Sequence, residues 1–544
     1  MPPLTSALSA PLLRRLRKGA PWALLLAVVS AQAWSLAWWL SIDDQMAASI
    51  CCDLSGEASR AATRVARAGD PGLPPWEPRY GLLPQLGAAI FEATGSPEAF
   101  RWAVGVCGLL LSVVLFDLGR LLRGPWTGLL AAALSPLVPA LAFASRRWDA
   151  QLPLGVLVAI GAWLVVRSRG LSRPIPVLLL CALLAVTAMT SPRETDNLLA
   201  LATLASLVGG AGLRSLVTGR GPAGRPLARW RTLVGCGALA AFVSLALPEF
   251  VQFSSPDGAA YYVAETAGGA SAAGTVGGSQ GLAAYVGHLF WRALTPSLAW
   301  PFDVALVLVI LRGRGRVELL SWTLLPLLAL SLLPKRNYYY LSVIWPVLPL
   351  ILALGVAALP LGRRLGWLRG GVGVALVGLG LVQHLDRVEP RALHAGWAAQ
   401  ERWMGGTEDW GRAFQTSDQH LSIAPVQRPW IAPLAAEVAA AASAVPLDPC
   451  VCPVAALLEG GLSDKDVALA LLPHAPCLRV RPLRTPPPQV AVGALVVEEA
   501  HIDAVRANLP AAVGAEVTAR LDGPHGPLLV LSAPETTGEG CPPP

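Results

Sequence analysis

The sequence predicts an α-helical polytopic membrane protein with about 11 transmembrane helices and a small C-terminal extracytoplasmic α/β domain. Three observations predict it. The 544 residues are 54% hydrophobic and only 14% charged, where ordinary soluble domains carry about 25% charged residues. The mean hydropathy is +0.53. The apolar residues are gathered into long runs separated by short arginine-bearing loops, and this character ends near residue 385. A net charge of +7 invites a nucleic-acid partner, but the arginines form no single basic patch, so no nucleic acid is expected.

Crossing the hydrocarbon core takes about 20 apolar residues in a helix. Eleven stretches qualify, near 20–40, 99–118, 125–144, 150–166, 175–191, 196–210, 231–249, 290–311, 317–333, 338–359 and 366–384. The eighth contains Arg292, Pro296, Pro301 and Asp303, so it is expected to be broken or shortened. Residues 1–19 form a cytoplasmic N-terminus, and Arg14, Arg15, Arg17 and Lys18 precede the first run. That run is too long for a signal peptide and lacks a convincing small-residue cleavage site, so it reads as an uncleaved span. With the N-terminus inside, sixteen basic residues fall in inner loops against five in the short outer ones. The positive-inside rule then fixes the orientation, and an odd number of spans places the C-terminal region outside an inner (plasma) membrane.

Three regions face outward at length. In 41–98, Met46, Ile50, Leu54, Ala58, Ala61 and Val65 make a helical apolar stripe with charged residues between them, the pattern of a helix lying in the headgroup plane. A proline-rich break, DPGLPPWEP, and a second helix in RYGLLPQLGAAIFEA follow. The region 250–285 ends in a Gly- and Ala-rich flexible loop. The third region, 386–535, is the α/β domain. QVAVGALVV and GPLLVLSA read as strands, RPWIAPLAAEVAAAASAV and HIDAVRANLPAAV as helices, and 536–544 as a disordered tail. Cys107, Cys181 and Cys236 fall in spans as small hydrophobes, whereas Cys450, Cys452, Cys477 and Cys541 lie where disulfides are permitted. The CVC spacing and the seven scattered histidines give no zinc pattern, so no zinc site is expected.

The unusual residues collect on the predicted outer face. Asp43 and Asp44 follow span 1 in SIDDQMAASI. Arg146, Arg147 and Asp149 follow span 3 in SRRWDAQ, Arg193 follows span 5 in SPRETDN, and Lys335, Arg336, Tyr338 and Tyr339 follow span 9 in PKRNYYY. Each has a plainer reading. The acids suit a helix N-cap, the basic-aromatic cluster an interfacial anchor, and the other two motifs an ion pair and a turn. Yet one acid suffices for a cap, and the basic residues stand on the side that the positive-inside rule disfavours. Bases on a membrane surface suit a phosphate, and a carboxylate beside them can take a proton from an acceptor hydroxyl.

The order of these motifs resembles that of the GT-C fold membrane glycosyltransferases, in the protein O-mannosyltransferase and aminoarabinose (lipid A) transferase branch. IDDQMAASI stands where that family has its acidic pair, followed by EPRYGLLPQL, TGSPEAFRWAVG, SRRWDAQLPL and LPKRNYYYLSVIWPVLPLILALG in the family's order. The resemblance covers about residues 15–385, making 20–385 a GT-C-like domain, and leaves the C-terminal lobe unassigned. It departs where the second acid is Asp44 instead of glutamate, where Met46 and Ala47 replace a basic-aromatic pair, and where Arg193 replaces a lysine.

The resemblance implies transfer of a sugar from a polyprenyl-phosphate donor to an extracytoplasmic protein, lipid or polysaccharide, with inversion at the anomeric carbon. It makes Asp43 the general base and Asp44 an orienting carboxylate. Lys335 and Arg336 would hold the lipid phosphate, and Tyr338 and Tyr339 the sugar. Arg146, Arg147, Asp149 and Arg193 would be secondary phosphate or carboxylate partners. The acidic loop could take a divalent cation, Mg²⁺ or Mn²⁺, although two carboxylates alone are a thin donor set. A transporter or flippase of a lipid-linked or anionic substrate would need charged or broken helices near the midplane and inverted repeats, and the sequence offers only 290–311 for the former and no repeat. A non-catalytic GT-C-like scaffold is the remaining alternative.

Overall fold

The computed structural model describes residues 9–41, 82–254, 286–388 and 429–532, apart from short breaks within the last three stretches that include 147–149, 191–193 and 333–337. Its contacts divide the chain into two units. The first takes in Met1–Trp38, Gly105–Arg146 and Gln151–Ala424, the second Trp39–Val104, Arg147–Ala150 and Pro425–Pro544.

Helix lies in all eleven apolar stretches. In chain order these are α1 (Ser9–Leu40), α3 (Glu98–Leu122), α4 (Pro125–Leu134) with α5 (Pro139–Ala144), α6 (Gln151–Arg167), α7 (Pro174–Thr190), α8 (Glu194–Thr218), α9 (Arg229–Leu245) with α10 (Leu247–Ser254), α11 (Thr295–Arg312), α12 (Arg316–Leu332), α13 (Val347–Ala358) and α14 (Trp367–Val388). A further helix, α2 (Leu82–Thr94), occupies the expected position before span 2. Five helices among the described residues are long and apolar enough to cross a membrane. The interfacial helix expected over 46–65 and the loop 255–285 lie outside the described residues.

Proline explains where runs that look continuous in sequence are broken. The stretch 125–144 is not one helix. Pro136 and Pro139 each lack an N–H, so α4 gives way to a 3₁₀ turn at Ser135–Leu137 before α5 begins. In the stretch 290–311, residues 290–292 lie outside the described residues, Ala293–Leu294 are π-helical, and α11 follows from Thr295 with Pro301 inside it. The stretch 338–359 opens as a 3₁₀ helix, Tyr338–Val343, and becomes α-helical only after Pro346.

Packing within the first unit depends on small residues and on a few buried charges. A Cβ added to Gly128 on α4 would come within 2.1 Å of the Phe116 carbonyl oxygen, and one on Gly119 within 2.8 Å of the Gly128 Cα. The α3 and α4 backbones therefore touch, as lipid-embedded helices do where small residues meet. Asp117 accepts from Arg120 Nε at 2.6 Å, Trp163 Nε1 at 2.8 Å and Arg167 Nη2 at 3.1 Å, which joins α3 to α6. Arg214 Nη1 lies 3.0 Å and 2.8 Å from the two Glu318 oxygens and joins α8 to α12. The Glu318 side chain is only 6% exposed, and removing one partner of such a pair costs about 3–5 kcal/mol. Elsewhere large apolar residues point outward, among them Trp34 at 72%, Leu245 at 78% and Val374 at 74% exposure. A surface of this kind suits hydrocarbon and not water.

The second unit contains a five-stranded sheet of order β2-β1-β3-β5-β4, built from β1 (Val454–Leu458), β2 (Arg479–Pro482), β3 (Ala491–Glu498), β4 (Glu516–Asp522) and β5 (Pro527–Ser532). β1 runs parallel to both β2 and β3, while β5 pairs antiparallel with β3 and β4. Side-chain alternation splits the sheet between two cores. Val454, Ala456, Ala494, Val496 and Val530 pack with Leu434 and Val438 of α15 (Ile431–Ser443) and Val467 of α16 (Asp464–Leu471). On the other face Leu457, Leu495, Val497 and Leu531 pack with Ile502 and Val505 of α17 (Ile502–Asn508). β3 is buried on both faces, which is why AVGALVV is apolar throughout. Cys477 is disulfide-bonded.

Candidate functional site

The described first-unit parts of three of the four motifs expected to face outward lie at one end of that unit by chain alternation. Arg146 closes α5, α6 begins five residues later at Gln151, α8 begins at Glu194, and the 3₁₀ helix Tyr338–Val343 packs beside α6 and α8. The approach of α6 is close, because a Cβ on Gly155 would meet the Ser342 carbonyl oxygen at 2.9 Å. Trp322 Nε1 fixes the end of the 3₁₀ turn by donating to the Val343 carbonyl at 2.7 Å. Asn197 of SPRETDN donates to the Ala188 carbonyl at 3.0 Å and closes the α7–α8 turn. Asn197 therefore performs the turn-building role that was the plainer reading of its motif.

The same end holds a cavity of about 250 Å³ between α1, α3, the α4–α5 segment and α14. Its walls are largely apolar, with Gln32, Ser35, Ser145, Arg146 and His384 as the polar groups. Gly105 on α3 meets Leu36 so closely that a Cβ there would lie 2.2 Å from Leu36 Cδ2, so the Leu36 side chain of α1 packs directly on the α3 backbone. Gln32 is oriented by Ser112, whose hydroxyl donates to Oε1 at 2.8 Å. On α14 the neighbour of His384, Gln383, is 1% exposed and donates to the Leu294 carbonyl at 3.2 Å, which sets the rotation of the helix.

Among the described residues that line this cavity, Arg146 is the permanently charged one, and it is 5% exposed. Its Nη1 donates to the Ala142 carbonyl at 3.1 Å, and its Nη2 donates toward His384 Nε2 at 3.3 Å. A guanidinium held this way beside an apolar slot offers planar, permanently charged donors to an anion that brings an apolar tail.

Of the other residues singled out in the sequence, Tyr338 and Tyr339 lie in the 3₁₀ helix, with only their backbone described. Asp43, Asp44, Arg147, Asp149, Arg193, Lys335 and Arg336 lie outside the described residues, and so does the acidic loop as a cation site. Sequence reasoning passed over His384, Gln32 and Ser35. The available signal was polarity: a glutamine and a histidine inside apolar runs are costly unless they face protein or a cavity.

Residues 75–224 match the family model for dolichyl-phosphate-mannose-protein mannosyltransferase. In structure the chain is similar to ArnT from Cupriavidus metallidurans in the apo state, with a TM-score of 0.59 at 14% identity over 95% of this chain and 99% of that one. Against the same protein bound to undecaprenyl phosphate the TM-score is 0.60 at 15% identity, over 97% and 100% of the two chains. No curated protein matches the sequence. At these identities the structural likeness is one of fold. The chain is a GT-C fold membrane protein, similar in sequence over 75–224 and in fold along most of its length to membrane glycosyltransferases.

Proposed function

We propose that the chain transfers a sugar from a polyprenyl-phosphate donor to an acceptor on the extracytoplasmic side of the membrane. The observation that carries the reading is Arg146, a buried guanidinium that lines a largely apolar cavity. The undecaprenyl phosphate bound by the structurally similar ArnT supports an anionic polyprenyl ligand here. With eleven crossings, the loop-charge asymmetry supports a cytoplasmic N-terminus. The disulfide at Cys477 supports an exported C-terminal lobe.

In the proposed reaction Asp43 accepts the proton of the acceptor hydroxyl or amine. The acceptor atom then forms a bond to the anomeric carbon from the face opposite the phosphate. The bond from that carbon to the phosphate oxygen breaks, and polyprenyl phosphate leaves with one more negative charge than it carried in the donor. Lys335 and Arg336 with Arg146 offset that charge as it grows, so their attraction is stronger in the transition state than in the ground state. Asp44 orients the acceptor, Tyr338 and Tyr339 contact the sugar, and Arg147, Asp149 and Arg193 complete the rim. The sugar-phosphate bond is cleaved, which separates this reading from that of a transporter.

Lipid occupancy tests the donor assignment. The chain purified in mild detergent is expected to retain a polyprenyl phosphate, visible by native mass spectrometry, and Lys335→Ala is expected to lose most of it. Occupancy unchanged by that substitution would remove the phosphate role of Lys335.

A further inference from the structure

We propose that the sheet-bearing lobe holds a divalent transition-metal site of the Zn²⁺ class, made by Glu459, Glu498 and His501. The three offer ligand atoms that all lie within 4.8 Å of one another. Glu459 immediately follows β1, Glu498 is the last residue of β3, and His501 ends the 3₁₀ turn that begins one residue after β3. Glu459 is held firmly. Its N–H donates to the Val496 carbonyl at 3.0 Å, and its Oε2 accepts from the Glu498 N–H at 2.5 Å. Its Oε1 accepts from His501 Nδ1, and the same nitrogen stands 3.8 Å from Glu498 Oε2.

Two features distinguish this group from an incidental surface cluster. The first is charge. Glu459 and Glu498 are 15% and 17% exposed and converge on one imidazole nitrogen, and a cation between two largely buried carboxylates offsets their mutual repulsion. The adjacent Glu499 is engaged separately by Arg520 at 2.5 Å. The second is topology. From β1 the chain passes to β2 on one side, then returns to β3 on the other, so the order 2-1-3 reverses at the β1/β3 boundary. The carboxyl ends of parallel strands at such a reversal open the crevice where α/β sheets bind ligands, and Glu459 and Glu498 stand at that boundary.

The donor set selects the ion. One imidazole nitrogen with two carboxylate oxygens suits zinc better than the all-oxygen shell that calcium or magnesium takes. Zinc–ligand distances of about 2.0–2.2 Å place tetrahedral ligands about 3.4 Å apart, so side-chain rotation must draw in the 3.8 Å pair and open the shorter His501–Glu459 contact to admit the ion. The metal takes the place of the direct contact between His501 Nδ1 and Glu459 Oε1. A fourth position remains for water or an anionic group. Histidine spacing did not reveal the site, because Glu459 is distant in sequence and arrives only through strand pairing.

The site is independent of the transfer reaction and is tested by metal binding alone. The full chain, purified without a histidine tag and stripped with EDTA, is dialysed against Zn²⁺, and bound metal is counted by plasma mass spectrometry. One Zn²⁺ per chain is expected, with affinity falling at least about tenfold in Glu459→Gln and in His501→Ala. Saturating Zn²⁺ is also expected to raise the unfolding temperature of the wild type and not that of His501→Ala. The His501 side chain is 56% exposed, so its truncation leaves the lobe folded and keeps the test decisive. The double variant Asp43→Asn, Asp44→Asn is expected to bind zinc normally. Absence of stoichiometric zinc, zinc binding unchanged in both lobe variants, or zinc lost only with the acidic loop would each overturn the proposal.

Discussion

Replacing Asp43 by asparagine is expected to lower sugar transfer by two to four orders of magnitude while leaving donor binding unchanged. A positioned general base contributes about 10²–10⁴ to rate. Asparagine matches aspartate in size and accepts a hydrogen bond, but it cannot take up the proton that leaves the acceptor. The loss should fall on kcat. The acceptor KM and the lipid occupancy should stay near wild type, because the proton moves only as the bond to the anomeric carbon forms. The companion Asp44→Asn is expected to act chiefly on acceptor KM, since adjacent residues in a turn point in different directions. Single-turnover measurements with prebound donor separate the two. A variant Asp43→Asn that turns over at the wild-type rate would remove the base assignment, whatever the fate of Asp44.

Arg146→Met is the second substitution with a large expected effect. Methionine fills much of the same volume and removes the charge from a side chain that is 5% exposed. Hydrogen bonds to charged groups contribute about 1.5–3 kcal/mol, so donor affinity is expected to fall about 10- to 100-fold. A purely structural arginine predicts something different. In that case the variant would melt earlier, because the Ala142 carbonyl and His384 lose a donor, but the folded fraction would bind donor as well as wild type. Titration of a polyprenyl phosphate against the variant, corrected for folded fraction, distinguishes the two roles. His384→Gln provides the graded comparison, since it keeps a polar neighbour for the guanidinium. It is expected to weaken binding less than Arg146→Met does.

The membrane helices were legible because a helix that crosses hydrocarbon must be apolar for about 20 residues, and few other structures write that signal. A disturbed segment was expected only where prolines came with charges. Arg292, Pro296, Pro301 and Asp303 marked one in 290–311, but Pro136 and Pro139 lay inside an apolar run whose length argued for a single span. In the lobe, β3 and β5 showed themselves as apolar runs of strand length. β1 did not, because VAALL has the composition of a helix and becomes a strand through pairing on both sides. β4 is an edge strand with mostly exposed residues, so EVTARLD carries no buried alternation to read.

The site was legible unevenly for a related reason. Arg146 stood out because a charge after an outer span breaks the positive-inside pattern. Gln32 and His384 did not, although both line the same cavity. They are separated from Arg146 by more than a hundred residues, and polarity within an apolar run says that a partner exists without saying which one. Glu459 and His501 posed the same difficulty across a sheet.

The claim that joins these observations is that the chain cleaves a sugar–phosphate bond on a lipid carrier and passes the sugar to an envelope acceptor. Paired lipid and glycan profiling of a strain lacking the protein measures this most directly. The prediction is that one envelope glycoconjugate loses a sugar while the corresponding polyprenyl-phosphate sugar accumulates, with both effects reversed by the wild-type chain and not by Asp43→Asn. A profile in which no glycoconjugate changes and no lipid-linked sugar accumulates would contradict it.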